Sequence, residues 1–264
     1  MTDGSAGEPG ALVPDPGAPG RDESVELRAL TPARVGLGRA GGSMPTGAHL
    51  AFRADHARAR DAVNRAFDGA AIAAELRAVG HPAVAVSSAA QSRPDYVRRP
   101  DQGRRLSVAS AAALEATVRA RPDLAIVLCD GLSPGAIGRH GAVLARTLAS
   151  SEQLRGWTIG PITVVTNGRV AIGDEIGAAL GARLVVVLIG ERPGLSVPES
   201  IGAYLTFRPT PGRSDADRNC ISNIHDHGLP VDAAARQIAT LAHRARLAGL
   251  TGVALKDDDP LALN

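Results

Sequence analysis

Three turns in the sequence combine glycine with the position just after an apolar run. They are Asp130-Gly131-Leu132-Ser133-Pro134, Asn167-Gly168-Arg169-Val170 and Glu191-Arg192-Pro193-Gly194. Glycine allows a ligand to approach the backbone closely, and two of the turns begin with an acid. A single turn of this kind is at least as typical of a tight loop that binds no ligand as of a ligand site. Three of them after successive runs favour a ligand site.

A literal G-x-G-x-x-G occurs at residues 36–41. The dinucleotide fingerprint requires this pattern between a strand and a helix, with an acid about 20 residues later at the end of the next strand. The upstream residues contain Pro32 and are too few for a buried strand, and Asp55 and Asp61 fall within a predicted helix. The sequence therefore does not predict a nucleotide site here.

Histidines and cysteines give no catalytic or metal-binding pattern. Only His225 and His227 are close together, and a pair without further ligands is weak support for a metal. Cys129 and Cys220 cannot form a disulfide framework, and Cys220 has no motif-level partner that marks a nucleophile. We predict no catalytic residue and no metal site in this chain. A ligand cleft without acid, base or nucleophile indicates that the chemistry belongs to a cofactor or another subunit.

The elements that position the three turns form an α/β pattern. Residues 124–130, 162–166 and 183–190 are continuous apolar runs separated by helical stretches. Such runs are typical of a parallel sheet covered on both faces. A fourth strand at 202–207 and a closing helix at 231–248 complete the domain. We therefore predict an α/β fold with a Rossmann-like doubly wound parallel sheet. Ligands of such sheets bind outside the carboxyl ends of the strands, where the three turns would meet.

The chain divides into four predicted regions. Residues 1–23 are rich in Gly, Pro and Ala and are expected to be a disordered tail. Residues 24–120 form a smaller, mainly helical N-terminal region with one short strand. Residues 121–250 form the Rossmann-like domain, and 251–264 form a C-terminal tail.

Composition excludes several functional classes. The 264 residues carry a net charge of +2 and only one Trp, two Tyr and three Phe. Few aromatic rings and little net charge disfavour nucleic-acid binding. No apolar stretch is long enough to cross a membrane, and residues 1–23 lack a signal-peptide pattern. We therefore expect a cytoplasmic protein with no nucleic-acid or membrane partner.

Four segments together resemble one family, the small (light) subunit of ethanolamine ammonia-lyase. They are TPARVGLGRAG (31–41), RRPDQGRRL (98–106), GRVAIGDEIGAALGARLVVVLIGERPGL (168–195) and DRNCISNIH (217–225). The order and spacing of GERPGL and DRNCISNI make the resemblance specific, and it covers the chain from about residue 27 to 247.

The resemblance implies an adenosylcobalamin-dependent enzyme that converts ethanolamine to acetaldehyde and ammonia by a radical mechanism. It implies a hetero-oligomer with several copies of each subunit, in which a large subunit carries most catalytic groups and cobalamin lies at the interface. The D-x-H-x-x-G pattern of proteins that displace the lower base of cobalamin does not occur in the sequence. The cofactor is accordingly expected to bind with its dimethylbenzimidazole still on cobalt.

The resemblance also implies which residues of this chain contact cobalamin: Val170, Glu191 and Cys220, each in a matching motif. A buried cysteine that only packs remains an alternative for the Cys220 side chain. Two other functions stay open, a nucleotide-binding oxidoreductase and a cofactor-free interaction module. Some relatives are addressed to a bacterial microcompartment by an amphipathic N-terminal segment. Residues 1–23 lack that pattern, so the cytoplasm is the expected location and the compartment an alternative.

Overall fold

The computed structural model describes residues 30–31, 33–117 and 121–255. The predicted tail at 1–23 and residues 256–264 of the predicted C-terminal tail lie outside the described residues. Internal contacts divide the chain into one unit up to Ala51 and a second from Phe52. The G-x-G-x-x-G segment is in the first unit, where residues 33–45 form turns and an isolated bridge rather than a strand and helix.

Seven α-helices and six strands carry the described fold. The helices are α1 (Thr46–Asn64), α2 (Gly69–Ala78), α3 (Arg93–Arg98), α4 (Val108–Glu115), α5 (Ala142–Ala149), α6 (Ile172–Ala179) and α7 (Val231–Ala248). The strands are β1 (Ala83–Ser87), β2 (Leu124–Cys129), β3 (Ile162–Thr166), β4 (Leu184–Gly190), β5 (Ile201–Phe207) and β6 (Arg218–Ile224). A helical turn at Pro134–Ala136 and a π-helical turn at Ile137–Gly141 lead into α5. None of the described helices is long and apolar enough to cross a membrane.

The sheet has the order β1-β3-β2-β4-β5-β6. The first four strands are parallel, as the apolar runs predicted. The prediction of a wholly parallel sheet is wrong, because β5 runs antiparallel to β4 and β6 antiparallel to β5. Residues 191–200 join β4 to β5 without a helix, and a parallel crossover needs a dozen or more residues and usually a helix. The fold is therefore α/β with a mixed six-stranded sheet.

Alternate residues of the central strands pack against helices on both faces of the sheet. On one face Ile126 and Leu128 belong to a buried cluster with residues of α2, α5 and α7. On the other, Val127 and Cys129 pack with residues of α4 and α6. Two buried faces explain why β2 and β4 are apolar at every position rather than alternately.

β1 joins the sheet beside β3, although it lies in the region predicted to be a separate, mainly helical one. The sheet therefore begins well before residue 121. The predicted closing helix at 231–248 is α7, and Gly249 ends it in the left-handed conformation with φ of 70°. Only glycine adopts this conformation without a steric penalty from a side chain.

Candidate functional site

The turns after β2, β3 and β4 meet at one edge of the sheet. Cys129 is in register with Val165 of β3 and with Ile189 of β4, so the three strands end side by side. The Leu132 N–H donates to the Gly190 carbonyl at 2.9 Å, which joins the first turn to the third. The sequence prediction that these turns share one edge is confirmed.

Asp130 holds two of the turns together. Its Oδ1 accepts hydrogen bonds from the N–H groups of Gly131 and Gly168, each at 3.0 Å. Its Oδ2 lies 3.1 Å from Nη1 of Arg93. Burial raises the pKa of the Asp130 carboxyl to about 6, while Arg93 and the backbone N–H donors oppose that rise. Asp130 is thus a buried structural carboxyl rather than a group that faces a ligand.

The short helix α3 supplies the cation for Asp130. The Ser92 side chain caps this helix by accepting from the Asp95 N–H, and a proline occupies its first turn. Arg93 then reaches three acceptors, because it also donates to the carbonyls of Gly131 at 2.8 Å and Val63 at 2.7 Å. An arginine with this many partners fixes α3 against the edge of the sheet.

Tyr96 of α3 brings two arginines to the same place. The Cζ atoms of Arg93 and Arg169 lie 4.5 and 4.3 Å from the centre of the Tyr96 ring. The ring is fully buried, and Arg169 Nη2 donates to the Tyr96 carbonyl at 3.0 Å. These cation–π contacts orient Arg169 in the turn after β3.

A cavity of about 440 Å³ opens at this edge. Two of its lining residues, Val170 and Glu191, were predicted to contact a ligand. The others are Tyr96, Leu132, Arg169, Ile189, Gly190, Arg192 and Tyr204. The structure therefore brings the turns after β3 and β4 into one concave site and adds two tyrosines to its wall.

The Glu191 side chain is held in place by hydrogen bonds to one of its two carboxylate oxygens. Its Oε2 accepts from the Ser200 hydroxyl at 2.6 Å and from the Asn223 N–H at 3.3 Å. Oε1 lies over Gly202, where a Cβ atom would come within 2.9 Å of it. Because Gly202 has no side chain, there is room for the Glu191 carboxylate beside β5.

Cys220 lies next to the cavity rather than in its wall. It is exposed and is paired across the strands with Tyr204, which does line the cavity. Partial burial of the thiol and the nearby Glu191 carboxylate raise the pKa of Cys220, and the Tyr204 side chain opposes that rise. The Cys220 side chain is therefore a protonated thiol at physiological pH and not a reactive thiolate.

Sequence reasoning missed Tyr96 and Arg169. Tyr96 lies in a short polar helix far along the chain from the three turns, and only the tertiary fold brings it there. Arg169 was within a predicted turn, yet nothing in its spacing showed that its Nε is buried without a hydrogen-bond partner among the described residues. That atom is an unused donor beside the cavity.

A second cavity of about 760 Å³ adjoins the first and shares Arg169 and Val170 with it. Its wall contains a buried ion pair, in which Arg218 Nη1 and Nη2 each lie 2.7 Å from a carboxylate oxygen of Asp174. This bidentate pair links α6 to β6.

The His225 and His227 pair is close to Glu191 but does not form a metal site. Across residues 30–31, 33–117 and 121–255 no three His, Cys, Asp or Glu side chains are grouped to hold a metal ion. His225 is bonded to Asn223 and to the backbone of His227 instead.

Comparison with known proteins gives a consistent result. The family model described as ethanolamine ammonia-lyase light chain (EutC) matches residues 21–256. The chain is 53% identical to the ethanolamine ammonia-lyase small subunit of Rhodopseudomonas palustris over 89% of this chain and 90% of the relative. It is 52% identical to the small subunit of Bradyrhizobium diazoefficiens, over 92% and 94% of the two chains. With the small subunit of Xanthomonas campestris the identity is 49%, over 92% and 90%.

Proposed function

Because this chain belongs to the ethanolamine ammonia-lyase light-chain family, we propose that it is the small subunit of an adenosylcobalamin-dependent ethanolamine ammonia-lyase. In this proposal the chain holds cobalamin against a large subunit and is active only with it. The observation that carries the proposal is that Val170 and Glu191, the cobalamin contacts implied by the family motifs, line one cavity. The complex converts ethanolamine to acetaldehyde and ammonia and contains several copies of each subunit.

The polar groups of the cavity fit the edge of a corrin. A corrin ring carries carboxamide side chains, and each offers both N–H donors and a carbonyl acceptor. Arg169 Nε is a buried donor without a partner in the described part of the chain, and both hydrogen bonds on Glu191 named above end on Oε2. One donor in the turn after β3 and one acceptor in the turn after β4 match what an amide side chain needs.

The size of the cavity supports a shared site. A space of about 440 Å³ accommodates part of a corrin cofactor and not the whole of it, which leaves the rest of the cofactor for the adjoining cavity or for another surface. The proposal places that surface on the large subunit. It also keeps the dimethylbenzimidazole on cobalt, because the sequence lacks the D-x-H-x-x-G pattern of proteins that displace this base.

When bound, adenosylcobalamin would supply the radical that starts the reaction. The residues of this chain would bind and orient the cofactor. Glu191 and Arg169 would hydrogen-bond its amide side chains, Val170 would cover an apolar ring edge, and Cys220 with Tyr204 would limit access of water. The proposed location is the cytoplasm, with a bacterial microcompartment as the alternative.

Co-expression with the large subunit tests this function. We expect the two chains to copurify, and the complex to release ammonia from ethanolamine when adenosylcobalamin is added. The large subunit purified without this chain should release much less. If the chain neither copurifies with the large subunit nor restores its activity, the proposed function is wrong. Fractionation of the native host separates the two locations.

A further inference from the structure

The end of β6 forms a tight turn next to Glu191. Asn223 is in the left-handed conformation with φ of 62°, which costs energy for any residue with a side chain and least for Asn and Asp. The Leu229 N–H donates to the Asn223 carbonyl at 2.9 Å, and the His225 N–H donates to the Leu229 carbonyl at 3.2 Å. The turn is therefore closed by its own backbone.

The hydrogen bonds of His225 determine where its proton lies. The side chain is buried, and the His227 N–H donates to its Nδ1 at 3.2 Å. Nδ1 is therefore the acceptor, and the proton of the neutral ring is on Nε2. Nε2 lies 2.8 Å from Oδ1 of Asn223 and donates to it. Burial and the nearby His227 lower the pKa of His225, while Asp226 and Glu191 oppose that change; the net lowering also favours the neutral ring.

Asn223 connects this ring to the Glu191 carboxylate. The Asn223 N–H donates to Glu191 Oε2 at 3.3 Å, and the left-handed backbone angle of the same residue turns the following chain back toward it. The His225 bond to the Asn223 side chain holds that residue in place. Gly228 is required beside it, because a Cβ atom there would overlap the Asn223 carbonyl and come within 2.6 Å of His225 Nε2.

We propose that His225, as a neutral imidazole with its proton on Nε2, is a positioning residue that fixes the Glu191 carboxylate, through Asn223, for cobalamin binding. This inference rests on the proposed function. His225 acts on the cofactor only through Asn223 and Glu191. Its surroundings are His227 and Asp226 of the same turn, Glu191, and His140 from the π-helical turn before α5.

Two amide variants separate this role from packing. The side-chain nitrogen of Gln can occupy the place of Nε2 and donate to Asn223, whereas the shorter Asn reaches only the place of Nδ1. In the complex with the large subunit we expect His225→Asn to weaken binding of hydroxocobalamin about fivefold, the loss of one hydrogen bond. His225→Gln should bind within about twofold of the unaltered complex.

A double-mutant cycle tests whether the effect passes through Glu191. The dissociation constant is measured by absorption titration for His225→Asn, Glu191→Ala and the double variant. We expect Glu191→Ala to weaken binding about tenfold or more, and His225→Asn to add nothing to it. Thermal unfolding midpoints check that each variant complex is folded. Glu152→Ala, at an exposed glutamate away from the cavity, is the matched control.

Several results would overturn the inference. Equal effects of His225→Asn and His225→Gln would show that only packing matters, and additive losses in the double variant would show a route that avoids Glu191. A normal loss for Glu191→Ala with no loss for His225→Asn would overturn the role of His225 and leave the proposed function standing. No loss for Glu191→Ala would remove Glu191 from the site and the inference with it.

Discussion

At the scale of single residues, the family motifs predicted two residues that line the cavity but not the residues that support its wall. Glu191 and Val170 could be predicted as ligand contacts because each lies in a motif that the chain shares with the family it resembles. Tyr96 and Arg93 could not, because their contacts join segments that are far apart in the chain. A partly buried arginine that bonds to the Val63 and Gly131 carbonyls has no sequence signature, since backbone acceptors are present at every position.

Asp130 makes the stability of the fold depend on pH. Its pKa of about 6 in the folded protein lies above the ordinary value of 3.8, so between these pH values the folded chain binds more protons at this site than the unfolded chain. The contribution of Asp130 to the free energy of unfolding is fully present below the ordinary pKa and is lost as pH rises to about 6. The loss is about 3 kcal/mol.

Asp130→Asn removes this dependence. Because the other titrating groups are shared, the difference in free energy of unfolding between the native protein and the variant should fall by about 2 kcal/mol between pH 4 and pH 6.5. Denaturant unfolding at a series of pH values measures it. A difference that stays constant over this range would mean that burial does not raise the pKa of Asp130.

At the scale of elements, the apolar runs predicted the strands up to β5, but the antiparallel direction of β5 and the whole of β6 were missed. β2, β3 and β4 are almost wholly buried, so each is a continuous apolar run. β6 is buried only at its first and last residues and contains two asparagines, so it has no such run. The absence of a helix in 191–200 was the one available sign that β5 turns back antiparallel.

The turn after β2 depends on glycine at Gly131, which has φ of 57°. A Cβ atom there would also overlap the Gly190 carbonyl and lie 2.5 Å from the Ile189 side chain. Gly249 has a similar φ of 70° with no atom within 4 Å of the added carbon. We expect Gly249→Ala to cost about 1 kcal/mol, the conformational penalty alone.

Gly131→Ala must in addition separate the turns after β2 and β4, so it should cost about 3 kcal/mol or more. Denaturant unfolding of the two variants gives the two losses in free energy of unfolding. The difference between them measures the cost of the close approach of the two turns, because both variants pay for the backbone angle. Equal losses for the two would show that the turns can separate freely, and that the edge of the sheet is not closely packed at this point.

At the scale of the whole molecule, an incomplete site couples ligand binding to assembly. If cobalamin contacts both subunits, then the factor by which this chain raises the cobalamin affinity of the large subunit equals the factor by which cobalamin tightens association of the subunits. In the proposed complex the cavity of about 440 Å³ would contribute one part of the contacts to cobalamin, and Glu191 and Arg169 would contribute the polar groups.

We therefore expect saturating hydroxocobalamin to tighten association of the two subunits about tenfold, within the usual range of coupling between sites. Sedimentation velocity at several protein concentrations, with and without hydroxocobalamin, measures the association constant. Glu191→Ala should reduce the factor and Glu152→Ala should leave it unchanged, because only the first removes a contact to the cofactor. An association constant that does not respond to hydroxocobalamin would place the cofactor wholly within the large subunit. The cavity at the sheet edge would then need another ligand.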